Sequence, residues 1–318
     1  MIPTVIAVSM IAFLIITLPP GDYLTTYIAN LQQQGVSVES AQIQALRDRY
    51  GLGQPVYVQY WNWIYNIIRH GDFGRSFHWN RPVSSLIWRR LGMTLILSFS
   101  SLIIVWFGSF PVGVYSAIKQ YSIGDYIATI FGFIGLAIPN FLFALVLMYI
   151  TFTYFGQSPG GFFSAEYVNA PWSWGRFVDL LKNLWQPAIV LGTAGTASMI
   201  RLTRANLLDE LSKPYVVTAR AKGLPEWRLL LKYPVRIALN FFVSRQNNLL
   251  VTLISSAAIV SIVFSLPTTG PMLLQALMAQ DMYLAGSFIF LLSILNVVST
   301  LISDIVLAWL DPRIRYDE

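Results

Sequence analysis

Long uncharged stretches separated by short charged segments dominate the pattern of this chain. Six such stretches occur, and we number them in chain order. They cover Met1–Gly21, the residues between Arg90 and Lys119, the first part of the run after Asp125, Asn183–Ile200, part of Gln246–Gln280, and Met282–Leu310. Because a bilayer core of about 30 Å is crossed by roughly 20 apolar residues in a helix, each stretch can cross once. The pattern predicts an all-α, polytopic membrane protein with six transmembrane helices.

Four of the stretches have features that bear on this prediction. The third and fifth are long and contain the breaker-rich segments Gly156–Gly161 and Pro267–Pro271, so we expect both to extend outside the membrane. The fourth is short and interrupted by glycines. The first has an alternative interpretation as a cleaved signal peptide, but it lacks a basic start and a small-residue cleavage site. We favour a retained helix over residues 1–20.

Charge indicates the class of protein and its orientation. Only 11% of the 318 residues are charged, against about 25% in soluble domains. The net charge is +6, and the basic residues cluster beside the apolar stretches. Membrane topology explains this placement better than nucleic acid binding does, so no nucleic acid partner is predicted. Residues 201–236 carry eight basic and three acidic side chains, which predicts that this segment and both termini are cytoplasmic.

Residues 21–90 are then predicted to form a large external loop with helices of its own. One helix is expected to end at Gly51, and a second, amphipathic one to run from Pro55 to about Arg69 with a stop at Gly71. Its aromatic side chains favour a belt at the level of the lipid headgroups, with a docking surface for an external partner as the alternative. These aromatics are Tyr57, Tyr60, Trp61, Trp63 and Tyr65.

Signatures of catalysis are missing from the chain. It contains no Gly-Lys dipeptide and hence no P-loop, and neither a zinc-protease helix motif nor a nucleophile elbow. The absence of cysteine excludes thiol catalysis and cysteine-based metal sites. The two histidines, His70 and His78, have no neighbouring ligands at metal spacing. We therefore predict that the chain is not an enzyme and itself binds no cofactor or metal.

The charged segment 208–236, which we call the elbow, has the most distinctive pattern. Pro214 suits the first turn of a short helix that continues to Lys222, and Ser212 is placed to cap it. Gly223 is then placed to take the left-handed conformation that ends a helix. Two structured helix boundaries within a few residues are more than a plain solvated loop requires.

The second half of the elbow supports the same interpretation. Pro225 is expected to start another short helix, with Glu226 at its positive N-terminal end. Leu224 and Trp227 lie at the bend, where a partner pocket could accept them. The alternative is a solvated cytoplasmic loop. We favour a structured docking site for a partner protein, because an exposed Trp is unusual in a solvated loop.

The elbow resembles the cytoplasmic EAA loop of binding-protein-dependent ABC importer permeases, specifically the dipeptide, oligopeptide and nickel group. In TARAKGL, Ala219 and Gly223 match the loop pattern, whereas its first Glu and its closing Ile-x-Leu-Pro are absent, as is common in that group. The segments LPPGDY, LGQPVYVQYWNWI, GDFGRSF, GLAIPNFL and DPRIRY are similar to the same group, so the resemblance is nearly full-length. The short basic start of such permeases is missing before Ile2, which indicates a start upstream as an alternative.

The resemblance implies a type I ABC importer permease fold, in which residues 91–318 form a core with five transmembrane helices. It implies half of a translocation pore, a homologous second permease subunit, and two cytoplasmic ATPase subunits that bind ATP and Mg. An external solute-binding protein and membrane lipid complete the partners, in a bacterial or archaeal plasma (inner) membrane. Oligopeptide, dipeptide or oligosaccharide cargo is implied ahead of a nickel chelate.

Particular residues follow from the resemblance and from the pattern. The resemblance implies that the ATPase is contacted by Ala219, Gly223, Leu224, Pro225, Glu226 and Trp227. Asn140, Thr193 and Thr196 are candidates for lining the pore, although small and polar residues in apolar stretches more often permit close helix packing. The rival function is an ion-gradient-driven secondary transporter. Such transporters commonly show internal repeats, and none is visible here.

Overall fold

Helices account for nearly all regular structure in the parts of the chain that the computed structural model describes, residues 2–17, 54–76, 78–156, 160–244, 246–279 and 281–310. The all-α prediction is confirmed. The helices are α1 (Ile2–Thr17), α2 (Val56–His70), α3 (Val83–Ile118), α4 (Ile123–Ala137), α5 (Asn140–Phe155), α6 (Trp174–Leu211), α7 (Pro214–Ala221), α8 (Glu226–Lys232), α9 (Pro234–Ser244), α10 (Gln246–Val263), α11 (Thr269–Met278) and α12 (Met282–Leu310). Strands β1 (Arg75–Ser76) and β2 (Arg81–Pro82) form one short antiparallel pair.

Apolar helices of spanning length are present. Within the described residues, α3 and the part of α12 over Tyr283–Val306 are each long and apolar enough to cross a membrane, and α4 with α5 together make a third candidate. Shorter apolar helices cover Pro3–Ile15 and Thr252–Val263. The second and sixth stretches thus coincide with α3 and α12, and the fourth lies within the 38-residue α6. The total of six crossings stays a prediction.

The third stretch forms two helices with a break between them, and a single crossing by the pair stays a prediction. The helix direction bends by 106° between α4 and α5. The break lies at Ile138 and Pro139, both extended, with ψ of 121° and 136°. Proline lacks an amide hydrogen and disfavours helical geometry in the residue before it, so the chain leaves the helix here and α5 begins at Asn140.

The fifth stretch breaks where the proline-rich segment predicts. Helix α10 ends at Val263 and α11 begins at Thr269, with Pro267 between them. Gly270 lies so close to α10 that an added Cβ would stand 2.4 Å from the Cα of Ala258. The return of the chain against α10 therefore requires glycine at this position.

The first of two compact units comprises Met1–Leu91 and Met272–Val297. Trp63 of α2 is only 6% exposed, and its ring centroid lies 5.6 Å from that of Phe13 in α1 and 5.5 Å from that of Phe290 in α12. Tyr57 and Trp61 lie on the opposite, exposed face of α2. The predicted aromatic belt is therefore divided, because one face of the helix packs inside this unit and the other is available to lipid or a partner.

The end of α2 confirms one local prediction for residues 21–90. Gly71 adopts a φ of 62°, and its amide donates to the carbonyl oxygen of Ile67. Positive φ is favourable for glycine, so the helix stops here as expected. The helix predicted to end at Gly51 lies outside the described residues.

A buried carboxylate ties the loop after α2 to the start of α12 within the same unit. The hydroxyl of Ser76 donates to Asp281 at 2.5 Å, and the amide of His78 donates to the same carboxylate at 3.3 Å. Asp281 also accepts from the amide of Leu284 in the first turn of α12. The GDFGRSF segment thus helps to anchor that helix start.

The second unit comprises Gly92–Pro271 and Val298–Glu318, with α6 at its centre against α4, α5, α9 and α10. Glycine residues let the helices of this unit pack closely against one another. A Cβ added at Gly113 of α3 would lie 2.7 Å from the Cβ of Thr203 in α6. At the start of α4, Asp125 forms a bidentate ion pair with Arg204 of α6, at 2.8 and 2.9 Å. This pair brings the charged ends of the third and fourth stretches together.

Candidate functional site

The first elbow helix, α7, begins as predicted at Pro214, but its cap differs from the prediction. Lys213 occupies the N-cap position, and no side chain caps the helix. The hydroxyl of Ser212 instead donates to the carbonyl oxygen of Asp209 at 2.8 Å. Ser212 is the C-cap residue directly after α6 and still has helical backbone angles, and its side chain turns back toward that helix. The capping role expected of Ser212 is wrong.

The predicted left-handed stop at Gly223 is confirmed. Its φ is +76°, and its amide donates to the carbonyl oxygen of Arg220 at 3.0 Å. The amide of Leu224 donates to the carbonyl oxygen of Ala219 at 3.3 Å. These two bonds are the pair that defines a Schellman motif, in which a left-handed residue lets the chain close off the last helical turn. The direction in which α8 leaves α7 therefore depends on Gly223.

An ion pair that the sequence pattern did not predict braces the two elbow helices. The guanidinium of Arg220 in α7 donates to both carboxylate oxygens of Glu226 in α8, at 2.6 and 3.1 Å. These hydrogen bonds lower the pKa of the Glu226 carboxyl group and raise the pKa of the Arg220 guanidinium. Both side chains are about half exposed, so the pair orients α8 more than it stabilises the fold. Its partners lie on different helices, which is why a helix-spacing rule does not find it.

The inner face of the elbow is buried against helices α3 and α6. Apolar side chains of α7, α8 and α9 form one core cluster with the ends of α3 and α6. Its buried members are Ala117, Leu207, Val216, Ala219, Leu229, Leu230, Val235 and Ala238. Leu224 is half-buried against the same cluster. Because this face is packed, the elbow and the ends of α3 and α6 should move together.

The outer face of the elbow exposes three apolar side chains among charged ones. We define it by Val217, Trp227 and Leu231, which are 55%, 60% and 62% exposed. Leu231 follows Trp227 by one helical turn, so the two side chains share a face of α8. The guanidinium carbon of Arg228 lies 5.0 Å from the Trp227 ring centroid. An exposed apolar surface with an aromatic and an arginine is typical of an interface.

The structure thus distributes the six predicted coupling residues over both faces. Gly223, Pro225, Glu226 and Trp227 are exposed, whereas Ala219 is buried and Leu224 is half-buried in the chain's own core. Sequence reasoning missed Val217 and Leu231 as members of the outer face. The four-residue spacing from Trp227 could have indicated Leu231. Contact of these residues with an ATPase stays a prediction.

Two of the three pore candidates lie where helices pack closely. A Cβ added at Gly135 of α4 would be 3.0 Å from Cγ2 of Thr193, and one at Gly108 of α3 would be 3.4 Å from Cγ2 of Thr196. Asn140 is half-buried at the start of α5. The positions of Thr193 and Thr196 favour the packing alternative, and a pore-lining role for the three residues stays a prediction.

Similar proteins are known over the whole chain. The profile of the family described as "Binding-protein-dependent transport system inner membrane component" matches residues 109–316, and that of its N-terminal part matches residues 1–98. The oligopeptide transport system permease protein AppB of Bacillus subtilis is 36% identical over 316 residues, which cover 99% of this chain and 96% of AppB. The peptidoglycan transport system permease protein YejB of Agrobacterium fabrum is 28% identical, with 100% and 96% covered.

A solved structure supports the fold independently. The inward-facing MetNI methionine ABC transporter contains a chain that is similar with a TM-score of 0.55 at 18% sequence identity. The similarity covers 71% of this chain and 96% of that one. The resemblance inferred from the elbow and the other segments is confirmed, and no finding favours a secondary transporter. The chain belongs to the family of binding-protein-dependent transport system inner membrane components and is a permease subunit of an ABC importer.

Proposed function

We propose that this permease imports oligopeptides as one half of a translocation pore. Support for the cargo comes from AppB, a relative over nearly the full length that is named for oligopeptide transport. Oligosaccharide is the second candidate, and a nickel chelate the third. The other half of the pore is a homologous second permease, and an external solute-binding protein delivers the cargo. The test is to identify the ligand that copurifies with that binding protein, and an exclusive sugar ligand would contradict the proposal.

The energy for import comes from two cytoplasmic ATPase subunits that bind ATP and Mg. The permease itself contains no P-loop for nucleotide phosphates. It also belongs to a family of membrane components, which fits a division of labour between pore and ATPase. This chain therefore contributes the path and receives its motion from its partners.

The elbow is the element that receives this motion. The observation that carries this step is the contrast between its two faces, one packed with α3 and α6 and the other exposed through Val217, Trp227 and Leu231. When the ATPase pair closes on ATP, a contact on the outer face displaces the elbow, and the packed inner face transmits the displacement. A shift of this kind requires that the ATPase contact differ between the two states.

Trp227→Ala is expected to release the ATPase from the complex while the second permease stays bound. Truncating an aromatic anchor at the centre of an interface often costs about 2 kcal/mol or more, which corresponds to roughly 30-fold in affinity. The measurement is the amount of each subunit that copurifies in mild detergent. Trp61→Ala is the matched control, since Trp61 is similarly exposed on α2 and should not affect ATPase retention. Full ATPase retention with normal transport in Trp227→Ala would show that the ATPase does not bind this face of the elbow.

We propose further that both termini and the elbow are cytoplasmic and that α2 is outside. The Asp125–Arg204 ion pair supports a common side for the loop before α4 and the segment after α6. The chain has no native cysteine, so single cysteines report topology directly. A membrane-impermeant thiol reagent should label Asn62→Cys, exposed on α2, in intact cells. It should label Lys222→Cys, exposed on the elbow, only after the membrane is opened, and the reverse pattern would invert the topology.

A further inference from the structure

A groove lies between α4 and α6 in the second unit. Its volume is about 200 Å³. Small and apolar side chains line most of it, and two arginines lie at one end. The lining residues are Ala128, Thr129, Gly132, Phe133, Leu136, Ala197, Ile200, Arg201 and Arg204.

The arginine end of this groove has an excess of positive charge. Arg204 is committed to Asp125, which accepts both of its hydrogen bonds at 2.8 and 2.9 Å and a further one from the amide of Tyr121. Arg201 is exposed, and in the part of the chain that the structure describes no carboxylate lies within ion-pair distance of it. Among the described residues, the Arg201 guanidinium therefore has no carboxylate partner, and it can bind an anion at the mouth of the groove.

The rest of the groove is a narrow apolar channel beside α4. Its lining extends from Ala128 to Leu136, which is about 12 Å along the helix axis. A Cβ added at Gly132 would meet no atom within 4 Å, so the channel is open at its middle. The volume is below the roughly 300 Å³ at which pockets for whole drug-sized ligands begin. It suits a hydrocarbon chain better than a peptide.

We propose that an anionic phospholipid occupies this groove, with its phosphate on Arg201 and one acyl chain along Gly132 and Leu136. The charge of the mouth is complementary to a phosphate, and guanidinium groups bind phosphate oxygens through two parallel hydrogen bonds. Arg201 follows directly on the fourth apolar stretch, where a lipid headgroup meets the membrane surface. Basic pockets between transmembrane helices bind such headgroups. The proposal depends on neither the cargo nor the ATPase contact.

The test measures phosphatidylglycerol bound to the purified transporter complex by native mass spectrometry. Arg201→Gln should reduce the bound lipid roughly fivefold, the size expected for one basic side chain at an anionic surface, and Arg201→Lys should retain most of it. Gly132→Leu fills the channel and should reduce binding of phosphatidylglycerol and of the zwitterionic phosphatidylethanolamine alike. The matched controls are Arg236→Gln, an exposed arginine on α9, and Gly92→Leu, an exposed glycine of α3 with no atom within 4 Å of its added Cβ.

A second measurement separates lipid from other occupants. A photoreactive benzoylphenylalanine at Phe133, which lines the groove and is exposed, should form a covalent adduct with lipid in native membranes. An adduct with the second permease subunit, or with a transported peptide, would overturn the proposal and make the groove a subunit interface or part of the cargo path. Excess inorganic phosphate should leave the lipid bound. Equal lipid retention in wild type, Arg201→Gln and Gly132→Leu would also overturn it.

Discussion

Replacing Gly223 with valine is expected to abolish transport while the complex still assembles in the membrane. Gly223 has a φ of +76°, a conformation that costs an ordinary L-residue about 1–2 kcal/mol and a β-branched residue more. No atom lies within 4 Å of an added Cβ, so the effect comes from backbone conformation and not from a steric clash. Relief of the strain breaks the Schellman bonds and reorients α8 with Trp227.

The measurement is substrate uptake and substrate-stimulated ATP hydrolysis in proteoliposomes that contain the whole transporter. Gly223→Asn is the matched control, because asparagine tolerates the left-handed region better than other residues with a side chain. It should retain most of the transport. Valine and asparagine variants with the same activity would falsify the requirement for positive φ at this position. Loss of assembly in both would point to folding as the cause.

Replacing Arg204 with methionine is expected to cause the largest loss of stability. Asp125 is 3% exposed, and Arg204 is its only ion-pair partner among the described residues. Removing one member of a buried ion pair leaves an uncompensated charge and typically costs about 3–5 kcal/mol. The variant should accumulate poorly in membranes and unfold at a lower temperature in detergent.

A second variant distinguishes charge from packing as the cause. In Arg204→Met with Asp125→Asn, the neutral amide oxygen still accepts the hydrogen bond from Tyr121, and no charge is left unpaired. Most of the stability should return. Arg236→Met is the matched single control, since Arg236 is exposed on α9 and substitutions at such positions usually change stability by less than about 0.5 kcal/mol. If the double variant is no more stable than Arg204→Met, the loss arises from packing of the arginine side chain.

Several features of this protein were determined by short segments of sequence. The second and sixth apolar stretches became α3 and α12, since the length of an uncharged run limits where a helix can lie in a membrane. Gly71 and Gly223 ended their helices, because the preference for positive φ is a property of glycine itself. The family was also readable from sequence, because the elbow and the other motif segments are contiguous.

Other features required the tertiary structure, because they depend on residues distant in sequence. Asp125 and Arg204 are 79 positions apart, so no local spacing predicts their pairing. Pro139 indicates a break in its helix, but the 106° bend is the direction in which α5 can pack against α6 and α10. Packing against distant residues also explains why Leu224 turns into the core while Trp227, three residues later, stays exposed. Both are large and apolar, and only the surface that α3 and α6 offer decides which of them is buried.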